Sequence, residues 1–449
     1  MRGAGNIKTI IFVTFINLFY LLAAWLLGLN RIWLNIDYIA SIFLLSYGFK
    51  KTGLCLLIFA MVSDALLLMG QVFPFFRLDE IIYILKFIFI SSLYYQLVFG
   101  VVLIIFILIL FYYGRLAWNK KIVQYCFLLT AFLFSIETVF SGLHGITSNA
   151  YTRSLLLNFT EKQFFGFNQS LYASSQQLKN EPVSPTAQTL FNQIQHNEVL
   201  PNKILFIVAE SLGVPKQQAV LDNILRPLLL QQNKAISKLE VKHLSYLMPT
   251  VYGELRELCH AQPQNLNLRD LDKGFENCLP NKLKKLNFKT SAYHGALSIM
   301  YDRKDWYPRA GFEKTFFYES KPWKSRCYSF PGICDTEISD AIAEQFKSND
   351  KQFVYWLTLN SHAPYDLRDI QYDLLKCEEY DIDANSMSCR NLKLQAQFFY
   401  VLSKMIQQPQ FSNTQVIIVG DHSPIIFDQT EKANVFDGNK VLMLKFNVK

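Results

Sequence analysis

The sequence predicts a two-part protein: an N-terminal α-helical membrane domain of about five transmembrane helices, then a C-terminal α/β domain with a largely parallel sheet. Two observations carry this expectation. Residues 8–143 are dominated by Leu, Ile, Phe, Val and Tyr, whereas residues 144–449 have ordinary globular composition. In the second part, short apolar runs alternate with polar or helix-forming sequence, as in a sheet whose strands are joined by helices. With 449 residues, 51% of them hydrophobic and 18% charged, the chain has room for an anchor and one soluble domain with a substantial core.

Stretches of roughly 20 apolar residues can cross a bilayer, and five fit: 8–28, 33–49, 53–70, 93–113 and 122–142. The second is short, and 80–92 either lengthens the fourth or lies at the interface. The first is longer than the core of a cleaved signal peptide and more spans follow it, so it reads as an anchor. Lys and Arg accumulate on the cytoplasmic side of a membrane. Arg2 and Lys8 precede the first span, Lys50 and Lys51 follow the second, and Arg115, Lys120 and Lys121 follow the fourth. The other loops mix Arg31 with Asp37, and Arg77 with Asp79 and Glu80. The N-terminus is therefore expected inside, and five crossings place the C-terminal domain outside.

Cysteine usage points the same way. Cys55 and Cys126 fall within spans, while Cys259, Cys278, Cys327, Cys334, Cys377 and Cys389 all fall in the soluble domain. An even number in an exported domain suggests disulfides. Proximity favours Cys259–Cys278, Cys327–Cys334 and Cys377–Cys389, although other pairings stay open. A zinc-thiolate site is the competing reading, but no Cys-x-x-Cys spacing is present. Disulfides imply an oxidising compartment, most simply the bacterial periplasm, with the anchor in the inner (cytoplasmic) membrane.

The expected organisation is a transmembrane anchor over 1–143, a juxtamembrane linker over 144–200 and a periplasmic catalytic domain over 201–449. The linker is polar, with a helix expected near 185–197. Asn158-Phe-Thr and Asn168-Gln-Ser match glycosylation acceptors, but so short a pattern recurs by chance and receives no function. Strands are expected at 204–209, 241–247, 288–293, 352–359 and 415–419. A last apolar run, Val441–Phe446, is expected to form a minimal C-terminal edge. There is no internal repeat, P-loop or Gly-x-Gly-x-x-Gly, so nucleotide binding has no support. The net charge of +8 partly reflects the cytoplasmic loops and forms no dense basic stripe, so nucleic acid is not an expected partner.

The chemistry-bearing residues cluster after the apolar runs. Val416-Ile417-Ile418-Val419 leads into Gly420-Asp421-His422-Ser423-Pro424, and Ile204–Ala209 leads into Glu210-Ser211. Ligands of open α/β sheets bind beyond the carboxyl ends of the strands. Two strands ending in Glu210 and in Asp421-His422 therefore suggest one divalent-metal site. The histidine favours Zn²⁺ or Mn²⁺ over Mg²⁺. Alone, Glu210 also reads as a solvated loop carboxylate. Thr250 follows Met248-Pro249 and opens Val251-Tyr252-Gly253-Glu254-Leu255. It makes a good N-cap, yet a hydroxyl at a helix N-terminus beside a metal also suits a nucleophile. His294 ends one strand-like run and Arg303 lies nine residues on. His362 follows another run, in Asn360-Ser361-His362-Ala363-Pro364-Tyr365. These three fit hydrogen bonding to an oxyanion such as phosphate. His144, His196, His243 and His260 have no such setting and read as structural.

The order Val-Ala-Glu-Ser, Pro-Thr-Val-Tyr-Gly-Glu-Leu, Tyr-His-Gly with Arg303, Asn-Ser-His-Ala-Pro-Tyr and Gly-Asp-His-Ser-Pro resembles the sulfatase-like, alkaline-phosphatase superfamily over residues 200–430. Within it, the chain is similar to membrane phosphotransferases: lipoteichoic acid synthase, the periplasmic glucan phosphoglycerol transferase and phosphoethanolamine transferases. The resemblance implies a sulfatase-like C-terminal fold. It implies that Glu210, Thr250, Asp421 and His422 ligate one divalent ion, and that Thr250 is also the nucleophile. It further implies that His294, Arg303 and His362 hold the phosphate or the leaving and entering alcohols. The partners it implies are a phospholipid donor in the membrane and a glycan or lipid A acceptor. The cysteine-rich domain looks more like the phosphoethanolamine transferases, and Tyr-Gly-Glu-Leu after Thr250 more like the phosphoglycerol branch, so both head groups stay open. An apolar or aromatic surface facing the lipid is also expected, with Trp306, Tyr307 and Trp323 as candidates.

Two other readings compete. A sulfatase would need a Cys or Ser matured to formylglycine, usually within Cys-x-Pro-x-Arg, and no such motif occurs. A phosphodiesterase using water as acceptor stays open. A non-catalytic envelope binding protein would be expected to have lost Thr250 or a ligand, and all four candidate ligands are present.

Overall fold

The computed structural model describes residues 2–72 apart from 27, 28 and 30; 93–144; 152–160 apart from 158; 178–180; 185–196; and 198–449 apart from 247–249, 264–267, 270, 272 and 331. The ambiguous stretch 80–92, the loop charges Arg77, Asp79 and Glu80, both glycosylation patterns at Asn158 and Asn168, and Met248-Pro249 lie outside the described residues. The chain divides into two compact units, Met1–Ser174 and Ser175–Lys449.

In the first unit, five helices fall on the five apolar runs: α1 Arg2–Leu26, α2 Ile36–Ser46, α3 Lys50–Val72, α4 Leu93–Arg115 and α5 Lys120–His144. Among the described residues only Lys50–Leu68 is by itself long and apolar enough to cross a membrane. Phe99–Arg115 and Lys120–Glu137 pass that test as a pair bent by 119°, and Thr9–Trp25 and Ile36–Ser46 are shorter apolar helices. The second expected span is thus an 11-residue helix. Such a helix rises only about 16 Å, roughly half the hydrocarbon thickness. One charge pair is buried in this apolar unit, as desolvation of its members requires. Arg31 Nη2 lies 2.6 Å from Asp64 Oδ2, and the Tyr38 hydroxyl donates to the same oxygen at 2.7 Å. Two short strands, β1 Leu34–Asn35 and β2 Thr152–Arg153, pair in parallel beside them.

The second unit carries β3 Lys179–Asn180, β4 Lys203–Ala209, β5 Gly213–Pro215, β6 Glu240–Ser245, β7 Ala261–Gln262, β8 Lys289–His294, β9 Lys314–Phe316, β10 Gln352–Leu357, β11 Thr414–Gly420 and β12 Phe436–Asn447. Its longer helices are α6 Pro185–Gln195, α7 Gln218–Leu229, α8 Thr250–Cys259, α9 Leu279–Lys284, α10 Arg303–Ala310, α11 Asp335–Gln345, α12 Met387–Ile406 and α13 Gln429–Val435. The main sheet runs β5-β12-β11-β4-β10-β8-β9, with β6 also paired to β12. From β11 to β9 every pairing is parallel, while β12 is antiparallel to β11, β5 and β6. The expected run 241–247 is therefore an antiparallel strand, and Val441–Phe446 belongs to a 12-residue strand that extends the sheet. The expected linker helix is α6, and β3 pairs with β7, so the end of the linker region is part of this unit.

β4, β10 and β11 are apolar along nearly their whole length because both sheet faces are covered. Leu205, Ile207, Val354, Trp356, Val416 and Ile418 point into the core formed with α7, α11 and α12. The opposite face is aromatic: Phe206 and Tyr307 both pack on Tyr355, with ring centroids 6.4 and 6.1 Å away. Trp306 and Tyr307, expected at a lipid-facing surface, are fully buried here. Trp306 stacks on Phe275 at 6.0 Å, and the Tyr307 hydroxyl donates to Glu254. Disulfides join Cys259–Cys278, Cys327–Cys334 and Cys377–Cys389, the three pairs that proximity favours. Cys55 and Cys126 are free.

Register decides where the chemistry gathers. Gly420 lies opposite Ala209, and Leu357 lies opposite both Val208 and His294. The carboxyl ends of β4, β11, β10 and β8 thus lie side by side, and the residues that follow them share one edge.

Candidate metal centre

Glu210 leaves β4 buried, with its N–H donated to Thr358 Oγ1 at 2.9 Å. Ser211 follows with φ 54°, a left-handed turn that ends the strand sharply. Its N–H donates to Asp421 Oδ1 at 2.8 Å, and its hydroxyl donates to Glu210 Oε1 at 3.1 Å. Asp421 and His422 leave β11 in the adjacent position. His422 Nε2 lies 3.2 Å from Glu210 Oε1 and 3.4 Å from Asp421 Oδ2. The Ser423 carbonyl, 2.8 Å from His422 Nδ1, places a proton on Nδ1 and turns Nε2 toward the carboxylates.

Thr250 is the first residue of α8. Its Oγ1 is 3.5 Å from Glu210 Oε2 and 3.4 Å from His422 Nε2. Gly253 lets the helix come this close: a Cβ there would sit 3.1 Å from both Cα and Cβ of Asp421.

Ligand atoms of Glu210, Asp421 and His422 lie within 4.8 Å of one another. Two buried carboxylates side by side repel, and Asp421 Oδ2 has no hydrogen-bond partner among the described residues. Oxygen and imidazole donors around an orphaned carboxylate oxygen fit a divalent cation. The protein's own charges show the strain of the arrangement. Burial raises the Asp421 pKa to about 8, with Glu210 adding to the rise. Burial alone would lower His422, but the Asp421 and Glu210 charges outweigh it and hold its pKa up at about 10. Burial opposes ionisation of Glu210 too, yet the neighbouring His422 charge depresses its pKa.

Two of the three expected oxyanion residues, His294 and His362, interact electrostatically with Glu210, and Arg303 with His294. His294 ends β8, buried, with Nδ1 3.1 Å from the Leu357 carbonyl. Burial, reinforced by the Arg303 charge, lowers its pKa well below the usual value, so the ring is neutral and offers Nε2 as an acceptor. His362 is partly exposed, with Nδ1 2.7 Å from the Ala363 carbonyl and its ring 4.7 Å from that of Phe330. Arg303 is brought close but is already engaged: Nε and Nη2 donate to Glu254 Oε2 at 3.0 and 2.7 Å.

Glu254 is the main feature the sequence reading passed over, although it stands in the quoted motif one helical turn after Thr250. It is fully buried and accepts from Arg303, Tyr307 and Tyr355. Tyr301 was also missed. It is held at φ 52° near Arg303, and burial pushes its pKa up to about 12, with Glu210 and Asp421 among the charges it feels. Ser361 Oγ and Gln395 Nε2 donate to the Glu210 carbonyl at 2.6 and 3.1 Å. Gln395 lies on α12 with no local motif around it, so only the fold could reveal it.

Comparison with solved structures gives likenesses at low identity. The lipoteichoic acid synthase LtaP from Listeria monocytogenes is 18% identical, with 58% of this chain and 71% of that chain covered and a TM-score of 0.44. The Streptococcus pyogenes phosphoglycerol transferase GacH in complex with sn-glycerol-1-phosphate is 14% identical, over 59% and 72%, with a TM-score of 0.38. The C-terminal periplasmic domain of EcEptC from Escherichia coli in complex with Zn is 14% identical, over 56% and 73%, with a TM-score of 0.37. No curated protein sequence matches significantly. The family model described as Sulfatase matches residues 202–441, more than half of the chain, from β4 into β12 and including every residue of the cluster. The chain belongs to the sulfatase family.

Proposed function

We propose that this protein is a metal-dependent membrane phosphotransferase. It moves phosphoethanolamine or phosphoglycerol from a phospholipid, through a phospho-threonine at Thr250, to an envelope glycan or lipid A acceptor. The observation that carries this reading is the position of the Thr250 hydroxyl. It opens a helix, where the dipole favours negative charge, and it faces Glu210 and His422 at 3.5 and 3.4 Å. Glu210, Asp421, His422 and Thr250 Oγ1 are the proposed ligand set. A Zn²⁺ or Mn²⁺ ion bound there would supply positive charge that eases ionisation of the hydroxyl and neutralises phosphate oxygens.

Thr250 Oγ1, its proton released to solvent, attacks the phosphorus in line as the bond to the diacylglycerol oxygen breaks. His362, partly exposed beside the cluster, is placed to pass a proton to that leaving oxygen. In the second half, the acceptor hydroxyl attacks the same phosphorus and frees Thr250. Neutral His294, with Nε2 open as an acceptor, suits a hydrogen bond from the entering alcohol, whose proton passes to Thr250 Oγ1 as that oxygen leaves. Arg303, tied to Glu254, contributes its field and fixed position to the phosphate rather than a free fork. Residues 1–143 are the proposed transmembrane anchor, 144–200 the linker and 201–449 the periplasmic catalytic domain.

The test is intact mass of the full chain after incubation with phosphatidylethanolamine or phosphatidylglycerol and Zn²⁺ or Mn²⁺, beside Thr250→Ala. An adduct of about 123 Da identifies phosphoethanolamine and one of about 154 Da phosphoglycerol, as a covalent intermediate requires. Either adduct, absent in the variant, supports the transferase. Lipid turnover that persists in Thr250→Ala without any adduct overturns Thr250 as nucleophile.

A further inference from the structure

Three loops at the carboxyl edge of the sheet present large apolar side chains to solvent. Tyr328 is 52% exposed, Leu367 58%, Ile425 42% and Phe427 63%. The loops are tied together. The Tyr365 hydroxyl accepts from the Ile425 N–H at 2.9 Å, joining 421–427 to 362–369. Asp369 accepts from the N–H groups of Tyr328 and Ser329, both at 2.8 Å, joining 362–369 to the loop closed by Cys327–Cys334. The same loops carry Asp421, His422 and His362, and Phe330 lies against His362. The apolar rim is therefore continuous with the candidate centre.

Its charge is asymmetric. The segment leading into the disulfide loop, Lys321-Pro322-Trp323-Lys324-Ser325-Arg326, exposes three cations. Lys321 Nζ sits 4.0 Å from the centre of the Trp323 ring, and Arg368 Cζ sits 4.1 Å from that of Tyr328. Of the nearby acids, Asp428 is exposed beside Phe427 and accepts only from the N–H groups of Thr430 and Glu431. Glu337 accepts from the backbone of Lys324 and Ser325, and Asp366 pairs with Arg368. Aromatic rings with cations beside them match the headgroup level of a bilayer, where the rings enter the acyl boundary and the cations meet anionic lipid.

We propose that Tyr328, Leu367, Ile425 and Phe427, flanked by Lys321, Lys324 and Arg326, form a docking surface for an anionic lipid bilayer. It rests on the phospholipid-donor reading and deepens it by naming the face that meets the donor. A docked rim exposes the centre to lipid headgroups and shields it from bulk water.

The full chain, with Cys55→Ala and Cys126→Ala to remove the free thiols, is labelled with an environment-sensitive fluorophore at Phe427→Cys, at Leu367→Cys, or at the exposed control Lys347→Cys. Each is placed in nanodiscs of zwitterionic lipid, with and without about one third anionic lipid, containing a headgroup-proximal nitroxide lipid. Quenching about three-fold stronger at 427 and 367 than at 347, and greater with anionic lipid, is expected for interfacial insertion. Equal quenching at all three sites overturns the proposal. A blue shift at 427 and 367 without nitroxide quenching also overturns it, because protein rather than lipid then covers the rim. The readout needs no turnover. Loss of the Thr250 adduct and loss of docking are therefore separate results.

Discussion

Arg303 directs both Nε and Nη2 at a single oxygen of Glu254, Oε2, and both side chains are buried. Because Glu254 lies one turn after Thr250, this pair fixes α8, the helix that Thr250 opens, against α10. The charge of Glu254 outweighs burial and raises the Arg303 pKa. Removing Glu254 leaves a buried cation alone, so Glu254→Ala should cost about 3–5 kcal/mol in chemical denaturation. Arg303→Lys should be destabilised too, because an ammonium does not reproduce the planar fork. A Glu254→Ala protein as stable as wild type would show that the pair holds nothing together.

Metal binding should release protons. With Asp421 and His422 both held above neutral pH by their surroundings, a cation must displace what they carry. Titration calorimetry of the full chain at pH 7 in two buffers of different ionisation enthalpy should report roughly one to two protons released per ion. Affinity should rise with pH over the same range. Asp421→Asn should weaken binding at least about ten-fold, and identical heats in both buffers would contradict the proton count.

Gly253 sets the distance between helix α8 and Asp421. A Cβ at Gly253 would meet backbone as well as side chain at 3.1 Å, so Gly253→Ala must shift one or the other. Metal affinity and Thr250 phosphorylation should fall together, while stability changes by only about 1–3 kcal/mol. Unchanged metal affinity would mean that the helix moves without disturbing the ligands.

Asp335 links stability to pH. It accepts N–H groups from Leu359 and Asn360, yet burial outweighs them and pushes its pKa up to about 7. A proton held more tightly in the folded chain favours folding. Its contribution is therefore complete below about pH 4 and is lost as pH rises through 7. The stability difference between wild type and Asp335→Asn, from urea denaturation across pH 4–8, should turn against wild type by on the order of a few kcal/mol. A flat difference would place the carboxylate in a wetter setting.

Much of the site was legible in the chain because its residues follow the strands directly. Glu210 after β4 and Asp421-His422 after β11 are fixed by local order once the sheet is parallel. Cys327–Cys334 and its two companion disulfides are close enough in sequence for proximity to choose them. Other partners were hidden because they depend on side chains distant in sequence. The reach of Arg303 to Glu254 spans 49 residues, and that of Gln395 to the Glu210 carbonyl spans 185. Trp306 and Tyr307 illustrate the same limit. Their composition suits an interface, but the aromatic face of the sheet buries them, while Phe427 and Leu367 stand exposed.

The sequence by itself determined the apolar N-terminal runs, the alternating strands and helices, and the polar residues at the strand ends, since these depend on local periodicity and order. The tertiary structure alone decided which strand ends became neighbours, which arginine was already paired and which aromatics faced water. Register and burial are relations between distant segments, and no local pattern in the chain encodes them.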